Sequence, residues 1–131
     1  MKERNLLLLL VLLAVTTFFV NNSALTTDIM EARNLVTARE IVDDGNWMVP
    51  TMNGELRLEK PPLPTWVAAA IESVAPDNLA AQRLAPGIMG VVWTVYLVLL
   101  TAKVSRRRKL GYTAGIVFLT CYQTVLMGRT A

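Results

Sequence analysis

The chain has no histidine and a single cysteine, Cys121. Those two shortages exclude imidazole general bases, His-dependent triads, His metal ligands and an intrachain disulfide. Charge is scarce as well, at 18% of residues against 53% that are hydrophobic. Chemistry in such a chain has to run on carboxylates, Lys and Arg. The apolar residues that dominate its 131 positions come in blocks, and their distribution says more than their total. The formal charge is +3, yet the basic residues are neither gathered on one face nor interleaved with aromatics, so nucleic acid is not an expected partner.

Three blocks are long and apolar enough to be read as membrane spans. In the first, over residues 1–25, a basic start precedes residues 6–20, whose only polar members are Thr16 and Thr17. Helical Thr returns its hydroxyl to a backbone carbonyl, and extension through Asn21-Asn22-Ser23 brings the segment close to the roughly 20 residues a span needs. A cleaved signal peptide is the rival reading, but Ser23-Ala24-Leu25 is a poor cleavage site, so an uncleaved anchor is expected. The second span covers 84–104, with Pro86 in its first turn, where a missing amide hydrogen costs little. The third covers 111–127 and carries Thr113, Thr120, Gln123 and Thr124, a composition suited to packing against other helices.

Lys2 and Arg4 precede the first span, and a basic loop at 105–110, flanked by Lys103, separates the second from the third. The positive-inside rule then makes both segments cytoplasmic and places 26–83 on the outer face, with 128–131 beginning the next outer loop. That long outer loop is acidic, with nine Asp and Glu against five Lys and Arg. The expected class is an all-α integral membrane protein with about three transmembrane helices and an N-terminus in the cytoplasm.

Loops this long usually carry function or their own secondary structure. Thr26 or Thr27 can cap a helix that starts at Asp28, apolar residues recur from Ile29 to Val42 at three- and four-residue spacings, and Gly45 is a stop. An amphipathic helix there suits the membrane surface. Asn53-Gly54 predicts a turn between two short extended pieces, and the prolines of Glu59-Lys60-Pro61-Pro62-Leu63-Pro64 hold the backbone extended. Apolar residues resume from Thr65 to Val74 as a second interfacial helix, which Pro76-Asp77-Asn78 ends.

The stretches Glu31-Ala32-Arg33, Ala38-Arg39-Glu40, Gly45-Asn46-Trp47-Met48-Val49-Pro50, Asn53-Gly54-Glu55 and Glu59-Lys60-Pro61-Pro62-Leu63-Pro64-Thr65-Trp66 match one known pattern in order and spacing. Together they resemble the first outer loop of the protein O-mannosyltransferase-like enzymes, glycosyltransferase family 39 of the GT-C fold, which also includes the bacterial transferase that adds aminoarabinose to lipid A. The resemblance implies a multi-pass enzyme of the bacterial inner membrane that moves a sugar from a polyprenyl phosphate donor to an acceptor on the periplasmic side. It also implies that these residues are the N-terminal fragment of a longer protein, inactive by itself, and leaves the acceptor open between lipid, glycan and protein.

By position in that pattern, Lys60 binds the donor phosphate and Glu59 is the neighbouring polar or metal-contacting carboxylate. Where the family has adjacent Asp and Glu before the Arg, this sequence has Met30-Glu31, so either Asp28 or Glu31 supplies the catalytic carboxylate. A divalent metal ion at Glu59 is the one cofactor implied, although such ions take six or more oxygen ligands. Plainer readings stand beside these. Glu59 and Lys60 can be a solvated ion pair, Asp28 a helix-start residue favoured by the macrodipole, and Arg33 and Arg39 partners of acids one helical turn away. Trp47 and Trp66 suit interface anchors, and Cys121 an inert buried thiol. The reading without catalysis is a small three-span protein whose acidic outer loop binds a partner.

Overall fold

A computed structural model describes residues 3–58 and 61–130. The chain runs α1 (Glu3–Phe19), a 3-10 turn (Asn22–Ala24), α2 (Ile29–Asp44), β1 (Thr51–Met52), β2 (Glu55–Leu56), α3 (Pro62–Val74), α4 (Leu79–Gln82), α5 (Leu84–Ser105), α6 (Arg108–Thr120) and α7 (Tyr122–Gly128). It divides into two compact units, one of α1 with Pro86–Arg129 and one of Ser23–Ala85.

The first unit is built from apolar helices. Asn5–Ala24 and Leu79–Ser105 are long and apolar enough to cross a membrane, and α6 with α7 makes a third candidate if the bent pair counts as one span. Thr16 and Thr17 both return their hydroxyls to the Leu13 carbonyl, at 2.9 and 2.8 Å, so neither leaves an unsatisfied donor on α1. The buried stripe of α1 is Leu10, Ala14 and Phe18, and it meets Val98 and Leu119. Outward faces still carry Leu8, Leu12, Val92 and Leu99, exposed apolar surface that belongs in hydrocarbon.

Small residues let these helices approach. A Cβ on Gly111 would lie 2.5 Å from the Val98 carbonyl oxygen, and one on Gly115 would lie 2.6 Å from Val98 Cγ2. The Phe18 ring lies against Gly90 of α5 and Gly128 of α7. This is close packing by van der Waals contact, which works between helices in lipid where no hydrophobic force drives association.

The third apolar block departs from the expected single helix over 111–127. It is two helices bent by 70° at Cys121, whose backbone is extended. Thr120 donates its hydroxyl to the carbonyls of Ile116 and Val117, and the Cys121 amide reaches Val117 and Phe118, the last bonds of α6 before the break. Past the bend, Arg129 donates to the carbonyls of Thr17, Val20 and Asn21 and so caps the end of α1. Cys121 is exposed at the break, which corrects its reading as a buried thiol.

In the second unit, α2 begins one residue later than expected. Asp28 is the cap itself, its carboxylate accepting the Ile29 amide at 2.7 Å, in place of Thr26 or Thr27. Gly45 ends α2 at φ +68°, the left-handed conformation glycine adopts without penalty. The apolar stripe of α2 packs on α3 through Ala38, Ile41 and Ala69. Ile29, at the start of the expected apolar face, is 75% exposed.

The hairpin pairs Thr51 with Leu56 and Met52 with Glu55 around Asn53 and Gly54, both at positive φ, as a two-residue turn of this type requires. Helix α3 starts earlier than the predicted Thr65. Pro62 and Pro64 fit its first turn, because the amide hydrogens they lack have no partner inside a helix there.

Candidate functional site

Polar side chains of the second unit form four clusters. The most enclosed is at the start of α2. Arg83 sends Nε to Glu31 Oε1 and Nη2 to Glu31 Oε2, each at 2.7 Å, and Nη1 to the Leu25 carbonyl at 3.1 Å. The side chains are 0% and 1% exposed. A two-pronged guanidinium–carboxylate pair has the geometry that best offsets the desolvation of two buried charges.

Arg57, 6% exposed, forms the second cluster. Its Nη1 donates to the Arg33 carbonyl and to Thr37 Oγ1, both at 2.6 Å, and its Nη2 to Asn34 Oδ1 at 3.1 Å. Thr37 in turn donates to the Arg33 carbonyl at 2.9 Å, so the guanidinium sits on a small network along one face of α2. Its backbone amide reaches the Pro50 carbonyl at 2.9 Å.

Glu40 holds the hairpin. Its carboxylate accepts the Thr51 hydroxyl at 2.7 Å and the amides of Asn53 at 2.5 Å and Gly54 at 3.4 Å. The Thr51 hydroxyl above all lowers its pKa, against an opposing effect of burial, with smaller help from the Asn53 and Gly54 amides.

The fourth cluster fixes the corner between α3 and α4. Glu72 accepts the Asp77 amide at 3.0 Å and Gln82 Nε2 at 2.8 Å, and Arg39 bonds Asp77 and lies 3.7 Å from Glu72. Arg39 thus pairs across to another segment, not with an acid one turn away on α2 as expected. Trp66 Nε1 donates to the Trp47 carbonyl at 2.7 Å, which ties the start of α3 to the loop before the hairpin.

Of the carboxylates expected to act, Asp28 and Glu31 share the first turn of α2 but differ in setting. Asp28 is exposed with one oxygen on the Ile29 amide, whereas both Glu31 oxygens are held by Arg83. Glu59 and Lys60 lie outside the described residues. Among the described residues no three His, Cys, Asp or Glu side chains are grouped to hold a metal ion. A cavity of about 440 Å³ in the first unit, lined by Met89, Trp93, Phe118, Gln123 and Met127 among others, has no charged group in its wall.

Sequence reasoning missed the roles of Arg83, Arg57 and Glu40. Arg83 carried one usable signal, a lone charge directly before an apolar span. Arg57 carried another, a charge between Leu56 and Leu58. Glu40 had none, since its partners lie 11 to 14 residues ahead.

Fold and site together define a predominantly helical chain with, among the described residues, two to three candidate membrane spans and a compact polar unit of paired charges. The chain is 32% identical over 98 residues to an undecaprenyl phosphate-alpha-4-amino-4-deoxy-L-arabinose arabinosyl transferase of Shewanella sediminis, which covers 75% of this chain and 18% of the relative. It is 27% identical over 90 residues to the protein of the same name in Pseudomonas savastanoi pv. phaseolicola, covering 69% of this chain and 17% of that one. The chain thus spans less than a fifth of the length of these curated relatives. Stretches of 98 and 90 residues cannot fit in a chain of 131 without both taking in residues 46–66. No family profile and no solved structure matches the chain.

Proposed function

We propose that this chain supplies membrane spans and an outer loop of a membrane transferase that moves a sugar from a polyprenyl phosphate to an acceptor on the periplasmic face of a bacterial inner membrane. The observation that carries the reading is the likeness to two arabinosyl transferases that act, by name, on an undecaprenyl phosphate-linked sugar, through alignments that include Glu59-Lys60-Pro61-Pro62. The finer assignment is to glycosyltransferase family 39 of the GT-C fold, with the N-terminus in the cytoplasm and α2 and α3 along the membrane surface.

The donor keeps its prenyl tail in lipid and its phosphate at the interface. In this reading Lys60 meets the phosphate and stabilises the charge that grows on it as the sugar leaves, by a charge-assisted hydrogen bond. A carboxylate takes the proton of the acceptor hydroxyl as that oxygen attacks the anomeric carbon. Asp28 is the accessible candidate for the proton, and its exposure at the head of α2 supports that role. Glu31 acts as a base only by leaving Arg83. Otherwise it serves by holding Arg83 and the start of α2 in place. Glu59 can give a divalent ion one oxygen ligand, and no step depends on such an ion.

The test uses the complete natural protein in membranes with an undecaprenyl phosphate-linked radiolabelled sugar and an envelope lipid fraction. Transfer of label with release of undecaprenyl phosphate is the expected result. A protein that neither consumes the donor nor binds it overturns the reading.

A further inference from the structure

One charge of the first unit has no counterpart. Arg129 follows the last residue of α7, and its guanidinium donates to three backbone carbonyls at the end of α1, to Thr17 at 3.2 Å and to Val20 and Asn21 at 2.9 Å. Its Nε is buried without an acceptor, and no carboxylate among the described residues pairs with it. A helix C-terminus offers only about half an elementary negative charge, so roughly half of the cation is left uncompensated. Such a charge at the end of apolar helices is costly unless an anion meets it.

The cavity of about 440 Å³ shares this end of the unit. Gly128, one residue before Arg129, lines it, and Phe18, one residue past Thr17, rests its ring on Gly128 and on Gly90 of the same wall. The wall is apolar apart from Gln123 and Thr124. Met89, Trp93 and Met127 on it are 54%, 50% and 58% exposed, so the cavity opens onto surface that belongs in hydrocarbon. Its size lies low in the range of about 300–1,000 Å³ for sites that take one small ligand, which suits a single hydrocarbon chain. We propose that this unit binds one anionic glycerophospholipid, with its phosphate on Arg129 and one acyl chain in the cavity. Two of the five N–H groups of the guanidinium, on Nε and Nη1, are unused, and a phosphodiester has two oxygens to offer them. The site does not rest on the transfer reaction, whose donor has a tail far longer than the cavity.

Photo-crosslinking of the complete protein tests it, in mixed vesicles of phosphatidylglycerol and phosphatidylcholine. A benzophenone amino acid replaces Met127 at the cavity rim or, as the control, Leu12 on the outward face of α1. Mass spectrometry then counts the lipid adducts at each position. At Met127 phosphatidylglycerol should be enriched about 5-fold over the vesicle composition, the effect of one basic residue on anionic lipid. At Leu12 the adducts should match the composition. Arg129→Gln should bring Met127 to the same composition, and Arg129→Lys should keep most of the enrichment. Thr124→Trp, which fills the cavity and keeps Arg129, should remove the lipid adduct at Met127, and it decides the matter if Arg129→Gln fails to insert.

Adducts at Met127 with no head-group preference overturn the proposal, as does an enrichment that survives Arg129→Gln or an adduct that survives Thr124→Trp. Crosslinks from Met127 to another segment of the protein, in place of lipid, overturn it by making the cavity a seat for a helix. Added undecaprenyl phosphate that displaces phosphatidylglycerol from Met127 at equal abundance overturns it as well, and assigns the cavity to a prenyl chain.

Discussion

Arg83 grips both oxygens of Glu31 from 52 residues away in sequence, so the end of the polar loop closes on its beginning. The pair is fully enclosed, and breaking it leaves a buried charge with no counterpart. Arg83→Met or Glu31→Leu alone should cost about 3–5 kcal/mol, whereas the double replacement should cost much less, because neither charge is left behind. Thermal unfolding of the detergent-solubilised complete protein measures this. Equal or additive losses in the double variant would show that the pair is not the unit that matters.

Glu40 makes the hairpin sensitive to acid. Its pKa is lowered from the ordinary 4.5, chiefly by the Thr51 hydroxyl, so the clamp stabilises the fold fully above the unfolded carboxyl value and loses its effect as pH falls through the lower folded one. Hydrogen exchange at the amides of Asn53 and Gly54 should therefore gain an extra acceleration, beyond the intrinsic pH dependence, only below that ordinary value of 4.5. Glu40→Gln should speed exchange at neutral pH and remove that step. Exchange in the variant that matches the wild type would refute the clamp.

Two glycines should fail for different reasons. A Cβ on Gly111 would meet the Val98 carbonyl oxygen at 2.5 Å and Ala102 Cβ at 2.9 Å, so Gly111→Ala should push α5 and α6 apart at a cost of about 1–3 kcal/mol. Gly45 has open space around its missing Cβ, and only its φ of +68° opposes a side chain, so Gly45→Ala should cost about 1 kcal/mol. Shortening Val98 to Ala beside Gly111→Ala should not relieve the clash, because the close atom is backbone. Thermal melts of the three variants separate these cases.

Local signals carried much of this structure in the sequence. Asp28 and Gly45 bracket α2 to within a residue, Asn53-Gly54 marks the hairpin turn, and the uncharged run from Gly87 to Leu100 marks α5. What stayed hidden depends on distant partners. Nothing beside Arg83 points to Glu31, and nothing beside Arg39 points to Asp77. The 70° bend at Cys121 has no proline or glycine to announce it, and the bonds of Thr120 and Cys121 to the preceding turn are ones a continuous helix also makes. The start of α3 was hidden for the opposite reason: prolines that suggest extended chain also fit the first turn of a helix. At the site, pattern marked the segment around Lys60, but only three-dimensional structure distinguishes an exposed Asp28 from an enclosed Glu31.

The central claim is that this loop serves transfer from a polyprenyl phosphate, with Lys60 on the phosphate. Its most direct test is the rate of sugar transfer by the complete protein carrying Lys60→Met, compared with wild type at equal membrane abundance. The account predicts a loss on the order of 100-fold or more in kcat/KM, as removal of one transition-state charge contact typically brings. Transfer at the wild-type rate would contradict it.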